Sequence, residues 1–534
     1  MLLRVAVVTL AALSVTLPAV AQHNHSASHE GNRAELGAVT FANSCTPDVQ
    51  EDLARAVAML HSFWYSATEK AFRDVFARDP TCAVANWGVA AILMNNPLAG
   101  VGAGRVEAER AQAAIEAGRR AGASTQRERD YIEAVATYYR DWASRPERER
   151  QVARAAAFEA LAARYPDDDE AQIFSALYIA GTQAQSDQSF AAYRRAASIL
   201  EPMFAKYPRH PGVAHYLIHA YDAPPLANQG LVAARRYAGI APDAPHALHM
   251  PSHIFTRVGA WQEASATNRR AYQVAVNGNE IGEAYHASDY AVYAELQLGR
   301  DATAHAAMED AFKVRVGGIP PAAMQYAMVA MPARYALERG DWAAASRLPP
   351  TDGGPAYPVA ISVFARALGS ARTGDPDAAD KDFQALEANV QALRAAGNVY
   401  WATETDVQQR TAAAWIAFAR NRTDEALQLM RSAADLEDRN EKHIVTPGRV
   451  LPARELLGDM LLEAGQPAQA LREYEASQAR EPNRFRGYWG AARAAEAAGD
   501  RRIASDYYRK LLALAKDADT ERPEITRARA FLLQ

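Results

Sequence analysis

One spacing constrains this 534-residue chain more than any other: a glycine, four residues, then an alanine. It occurs at Gly259/Ala264, Gly299/Ala304, Gly340/Ala345, Gly374/Ala379, Gly465/Ala470 and Gly499/Ala504. Four of the five intervals between these glycines are about 34–41 residues, near the period of stacked helical hairpins. The remaining interval, from Gly374 to Gly465, is more than twice as long. A glycine ends a helix in backbone that a Cβ would disfavour. A small alanine one turn later lets the next helix approach closely. Each copy therefore reads as a helical hairpin. Apolar residues recur at helical spacing nearly throughout, and β-branched alternation is scarce. One hairpin cannot bury its apolar face, but a stack of them can. The expected fold is all-α, a solenoid of helical hairpins wound as a right-handed superhelix with a concave inner surface.

The best copy runs from Leu457-Gly458 through Gly465, Ala470 and Tyr474 to Pro482, and Gly499, Ala504 and Tyr508 repeat its order one period later. At these positions the chain resembles the tetratricopeptide repeat family, whose period is about 34 residues. Earlier copies are worn, as at Ala67-Thr-Glu-Lys-Ala71-Phe72 before Asp79-Pro80, with Trp87-Gly88 opening the next. Beyond its leader the chain is similar to a group of exported, histidine-rich bacterial tetratricopeptide repeat proteins. The shared segments are LHSFWYSATEKAFRDVFARDPTCAVANWG, HYLIHAYD, HALHMPSHIFTRVGAW, HASDYAVYAELQLGR and EKHIVTPGRVLPARELLGDMLLEAG. The resemblance implies a helical repeat fold and, as a class, a peptide or protein partner on the concave face. It implies no particular chemistry.

Residues 1–21 read as a secretory signal: Arg4, an apolar run from Val5 to Leu17, Pro18, then Ala19-Val20-Ala21. The run is short for a membrane span, and no later stretch is long and apolar enough for one. The expected product is periplasmic or secreted, without a transmembrane span after cleavage. Residues 22–44, with His23, His25 and His29, read as a disordered tail. Residues 45–316 read as N-terminal repeats carrying a histidine-rich site. Gly317-Gly-Ile-Pro-Pro321 breaks helix and opens C-terminal repeats over 317–534. Thr351-Asp-Gly-Gly-Pro355 with Pro358 reads as a loop. Cys45 and Cys82, the only cysteines, are expected to pair in an oxidising compartment. The net charge is −5 and no basic stripe is present, so nucleic acid is not an expected partner.

Six of the 13 histidines fall between His215 and His286. His215, His219 and Asp222 line one helix face, as do His246, His249 and His253; His286 and Asp289 sit three residues apart. Prolines 208, 211, 224, 225, 242, 245 and 251 crowd the region, so its helices should be short, with Pro251 in the first turn of a helix beginning near Ser252. His286 follows His253 by almost one repeat period, so both should face the same side of the solenoid.

Imidazoles and carboxylates converging from neighbouring helices suit a divalent transition metal, zinc or copper. The candidate ligands are His215, His219, His246, His249, His253, His286, Asp222, Asp289 and, from across the superhelix, His61. His443 could reach the same place. Glu69, Arg257 and Tyr216 are candidate supporting residues. The same spacing would also arise from histidines packed structurally between hairpins. The zincin protease pattern is absent, because no Glu follows His215 directly. No phosphate loop, nucleophile elbow or dinucleotide fingerprint occurs. Three functions remain open: an exported binding scaffold with a metal site on its inner face, a metal-dependent hydrolase or oxidoreductase acting on a small molecule, and a metal-free interaction scaffold.

Overall fold

All six repeated glycines take a positive φ, from 65° at Gly340 to 85° at Gly374. Each partner alanine is fully buried. The computed structural model describes residues 34–315, 317, 320–351 and 354–534. The signal segment and the tail histidines lie outside the described residues, as does part of the helix-breaking stretch after Gly317. Among the described residues are 26 α-helices and no strand. Successive helices pack as hairpins, so the chain is an all-α, tetratricopeptide-like solenoid. No described helix is long and apolar enough to cross a membrane.

The long interval between Gly374 and Gly465 holds two further copies of the turn. One is Gly397, at φ 67°, with buried Ala402. The other is Asn421, at φ 59°, with fully buried Ala426. Asparagine tolerates left-handed backbone through its short polar side chain, so it replaces glycine there.

Two sequence readings are corrected. Residues 35–43, assigned to the tail, pack onto the repeats. Ala38 N–H donates to Arg209 O at 3.0 Å, and buried Phe41 stacks on Trp87 with ring centroids 5.1 Å apart. The apolar side chains of Leu36 and Phe41 supply the buried surface that holds the segment there. Pro358, assigned to a loop, is buried in the first turn of helix Ala356–Arg372. Its missing N–H costs nothing there, because the first-turn donors have no helical partner. Cys45 and Cys82 form a disulfide, with Cα atoms 4.6 Å apart. It ties the start of helix Gln50–His61 to the turn before Ala85–Ile92.

Burial differs sharply between helices. Trp261–Asn277 buries six of its 17 residues, the pattern of one apolar stripe. Pro211–Ala220 buries all ten, and Ile281–Gln297 buries 14 of 17. These inner helices are covered on their second face by the connection between helices Thr423–Glu437 and Ala453–Glu463. Along it Glu441 N–H donates to Gln185 O, and His443 Nε2–H donates to Ala99 O, each at 2.9 Å. Arg334 donates to Gly448 O at 3.0 Å and Arg449 O at 2.6 Å. The inner surface is thus filled by a strap around the histidine segments.

Candidate metal centre

Three short elements carry the six histidines. Pro211 starts helix Pro211–Ala220, and His210 caps it by accepting Val213 N–H at 3.3 Å on Nδ1. That helix presents His215 and His219 one turn apart. Pro245–His249 and Pro251–Val258 are two short helices joined at Met250, each with proline in its first turn. They present His246, His249 and His253, and Gly259 closes the second at φ 68°. His286 lies on Ile281–Gln297. Met250 keeps helical backbone, so the two short helices continue one another across Pro251. His246 lies beside His215, ring centroids 5.1 Å apart, while His253 lies beside His219 at 5.7 Å. The remaining neighbours are His215–His219 at 4.8 Å, His246–His249 at 5.9 Å, His249–His253 at 5.0 Å, His249–His286 at 4.3 Å and His253–His286 at 6.3 Å. All six side chains are buried, the most exposed at 7%.

Their convergent nitrogens fall into two trios. His215, His219 and His246 form one, and His249, His253 and His286 the other; within each, the potential ligand atoms lie within 4.8 Å of one another.

Hydrogen bonds fix where the protons are. His249 Nδ1–H donates to Asn268 Oδ1 at 2.7 Å. The amide's orientation is set because its NH2 donates to Ala264 O at 2.7 Å. His253 Nδ1–H donates to Asp222 Oδ2 at 2.9 Å. A neutral imidazole has one N–H, so both Nε2 atoms carry lone pairs. Those two Nε2 atoms face each other at 3.1 Å. Tyr290 Oη lies 3.4 Å from His253 Nε2, but its single proton goes to the nearer Thr446 O at 2.9 Å.

The first trio has the same outline but one tautomer open: His219 Nδ1 has no partner, so His219 Nε2–H can donate to His215 Nε2. His215 Nδ1–H donates to His61 O at 2.7 Å, which leaves a lone pair on Nε2, 3.1 Å from His219 Nε2. His246 Nδ1–H donates to Glu283 Oε2 at 3.1 Å. Three buried ring nitrogens have no hydrogen-bond partner: His219 Nδ1, His246 Nε2 and His286 Nδ1.

Protonation does not relieve this crowding. Burial, then the neighbouring imidazoles, holds His215, His219 and His249 well below the ordinary histidine value of 6.5. Burial pushes His253 down to about 4 despite Asp222, and His286 down to about 3 despite Glu283. These five are neutral at pH 7. Neutral imidazole is the form that binds metal.

Charge is concentrated behind His253. Asp222 also accepts Arg257 Nε–H at 2.8 Å and Lys442 Nζ–H at 3.2 Å. Burial pushes its carboxyl up, but Lys442, Arg257 and His253 outweigh that and hold it well below the usual carboxylate range. Arg257 continues to Glu441 at 2.8 Å, so the strap is bound electrostatically to the site.

The structure places the remaining candidates around these trios rather than in them. Asp222 touches the outer nitrogen of His253. Asp289 pairs with Arg334 at 3.3 Å, and burial pushes its carboxyl up to about 6. His61 meets Glu170 and His210 in a third convergent group. There every ring nitrogen is satisfied: His61 by Tyr216 Oη and Glu170, each at 2.9 Å, and His210 by Glu170 at 2.9 Å and by Val213 N–H. His61 therefore reaches the centre only through its carbonyl on His215. His443 is spent on Ala99 O. Glu69 pairs with Arg73 and Arg110, away from the site.

The sequence reading missed Glu283, Asn268, Tyr290 and Lys442. Tyr290 follows His286 by four residues and Glu283 precedes it by three, so helical spacing carried a signal for both. Lys442 sits beside His443, but nothing local marks it. Asn268 lies on the outer helix of its hairpin, and no pattern marks it either.

No family model matches the sequence, and no curated protein matches it significantly. The solved structures to which the chain is similar include the following three. One is a tetratricopeptide repeat protein from Parabacteroides merdae, with TM-score 0.29 and 15% identity over 54% of this chain and 99% of that one. Another is the APC/C hetero-tetramer Cut9–Hcn1, with TM-score 0.32 and 11% identity over 90% and 89% of the two chains. The third is the human IFIT1 dimer with m7Gppp-AAAA, with TM-score 0.36 and 10% identity over 86% and 95%. At these scores and identities the likeness fixes neither partner nor chemistry.

Proposed function

We propose that this protein is an exported tetratricopeptide-like scaffold that binds a transition metal through its buried histidines. The observation that carries the reading is the pair of lone-pair nitrogens on His249 and His253, 3.1 Å apart with no proton between them. Two such atoms repel in a buried chamber unless a cation lies within reach of both. Tetrahedral zinc, with bonds of about 2.0–2.1 Å to imidazole, sets its ligand nitrogens roughly 3.3 Å apart. The ligands are His215, His219, His246, His249, His253 and His286. A set made of neutral imidazoles, without thiolate, suits zinc or copper. Asp222, Glu283, Asn268 and the His61 carbonyl orient the rings from behind, the arrangement that fixes tautomer and raises ligand basicity.

Export rests on the leader sequence and agrees with the Cys45–Cys82 disulfide. A metal-dependent enzyme is the second reading. It is favoured by Tyr290, whose hydroxyl lies 3.4 Å from His253 Nε2.

Elemental analysis of the mature protein, with melting curves before and after chelation, tests the metal reading. The expected result is stoichiometric zinc or copper and a lower Tm once it is removed. An ion bound only by the folded state at 1,000 times its Kd stabilises by about 4 kcal/mol. His249→Ala with His253→Ala should lose the chelator-sensitive part of that shift. Protein that carries no metal, takes up none and melts unchanged with chelator would leave the histidines structural.

A further inference from the structure

Each trio is furnished as a complete site, and the furnishing is duplicated. Each contains an i,i+4 histidine pair whose Nε2 atoms face one another at 3.1 Å: His215 with His219, and His249 with His253. Each has one ring held from behind by a carboxylate, Glu283 on His246 in one and Asp222 on His253 in the other. Each has a second ring held by a neutral oxygen, His61 O on His215 and Asn268 Oδ1 on His249. Each also retains buried nitrogen without a partner, His219 Nδ1 and His246 Nε2 in the first and His286 Nδ1 in the second. A single ion in the first trio would leave the lone pairs of His249 and His253 crowded together, and a single ion in the second would leave the buried His219 Nδ1 and His246 Nε2 without partners, where an unsatisfied polar atom is costly.

We propose that the protein holds a pair of metal ions, one in each histidine trio, forming a dinuclear centre whose protein ligands are all imidazoles. The proposal rests on the metal reading above and adds its stoichiometry and assignment. Three protein ligands per ion leave a coordination position open for a small ligand, the mark of a reactive rather than purely structural site. Each ion has its own carboxylate one imidazole away, which shares the charge burden of bringing two cations together. Rings of different trios stand as close as 5.7 Å, His219 to His253, so the two ions are neighbours within one chamber.

The test uses the full mature protein stripped by chelator. Zinc, and separately cuprous ion under anaerobic reducing conditions, are added in excess. After desalting, bound metal per chain is counted by native mass spectrometry and elemental analysis. The expected result is two equivalents of at least one of these metals. His246→Ala and His286→Ala should each retain one equivalent, from opposite trios, and the double variant none. Circular dichroism checks that the variants fold; the wild-type count decides the matter even where a variant does not. No more than one equivalent of either metal overturns the pair while leaving a single site standing. No binding of either metal overturns the pair and the reading beneath it.

Discussion

Helices Ile281–Gln297 and Phe485–Ala497 each form the first arm of a hairpin that ends at a repeated glycine, Gly299 and Gly499. The first buries 14 of 17 residues and the second seven of 13. On the first, the second face carries His286, Asp289, Tyr290 and Gln297, all buried. On the second, that face is left to solvent or to partial contact. The hairpin rule is the same in both. What differs is whether the inner surface of the array meets water or another part of the chain. Where the strap closes it, polar side chains are enclosed and must be satisfied by one another or by a ligand.

The largest expected consequence is acid lability confined to the first region. His215, His219, His249, His253 and His286 are neutral in the metal-free fold and held below 6.5, to about 4 at His253 and about 3 at His286. In the unfolded chain they titrate near 6.5. Below that pH the unfolded state binds more protons, so stability falls with pH. It is fully present above 6.5 and is lost as pH falls toward the folded values. Each such histidine costs up to about 1.4 kcal/mol per pH unit. Five together should remove several kcal/mol between pH 7 and 5.5. Urea unfolding of chelated protein checks the size, and hydrogen exchange checks the place. Helices Pro211–Ala220 and Ile281–Gln297 should open before Phe485–Ala497. Flat stability over this range would contradict the neutral, buried state assigned to the cluster.

Next in size is Asp222→Ala, which strands three partners at once: Arg257, Lys442 and His253. Removing one member of a buried ion pair costs about 3–5 kcal/mol because the other charge is left buried. The loss should appear in metal-free protein and be accompanied by weaker metal retention. Asp222→Asn, which keeps a hydrogen-bond acceptor toward His253, should lose less. A Tm unchanged by Asp222→Ala would show that the strap is not held through this carboxylate.

The regular repeats were legible because their physics is local. Gly465, Ala470, Tyr474 and Pro482 state a hairpin within one short stretch of chain. The histidine segments were legible as ligand candidates because prolines and i,i+4 spacing are also local. Which trio each histidine joins was not legible, since it depends on how three helices pack: His246 joins His215 and His219 of one helix, while His249 and His253 join His286 of another. Of the strap only His443 reads as able to reach the centre, and its other contacts were not legible for a stronger reason. Glu441, Lys442 and Thr446 act on residues far away in the chain, as in Lys442–Asp222 and Tyr290–Thr446. Residues 35–43 read as tail because they follow the polar, histidine-containing stretch without a helical pattern of their own, although five of the nine, Leu36, Ala38, Val39, Phe41 and Ala42, are apolar and two of these, Leu36 and Phe41, are buried.

A smaller effect separates two copies of the same turn. A Cβ at Gly259 would press into the Pro482 carbonyl oxygen, whereas a Cβ at Gly465 would meet nothing within 4 Å. Both glycines have positive φ, 68° and 74°. Gly465→Ala should therefore cost only the left-handed backbone term, about 1–2 kcal/mol. Gly259→Ala adds a backbone clash between the two regions and should cost about 3 kcal/mol or more. Equal losses in thermal melts would mean that the Gly259 turn and the Pro482 turn are not packed together.

The smallest expected effect lies at Asn421, where the repeated turn survives without its glycine. Asn421 holds φ at 59° and Asn421 N–H donates to Phe418 O at 2.9 Å, while Ala426, on the following helix Thr423–Glu437, is fully buried. Backbone and packing are those of the glycine turns, so the side chain should contribute little. Asn421→Gly relieves the modest left-handed strain but enlarges the unfolded ensemble, and the two changes oppose each other at under about 1 kcal/mol. Asn421→Ala keeps a Cβ and lacks the local polar compensation, so it should destabilise by about 1 kcal/mol. Ala426→Leu should cost more than either, because the interior there has no space for added methylenes. Chemical denaturation of the three variants gives the order. If Asn421→Gly is as damaging as Ala426→Leu, the Asn421 side chain makes a contact that the turn geometry does not require, and this position is not a further copy of the glycine rule.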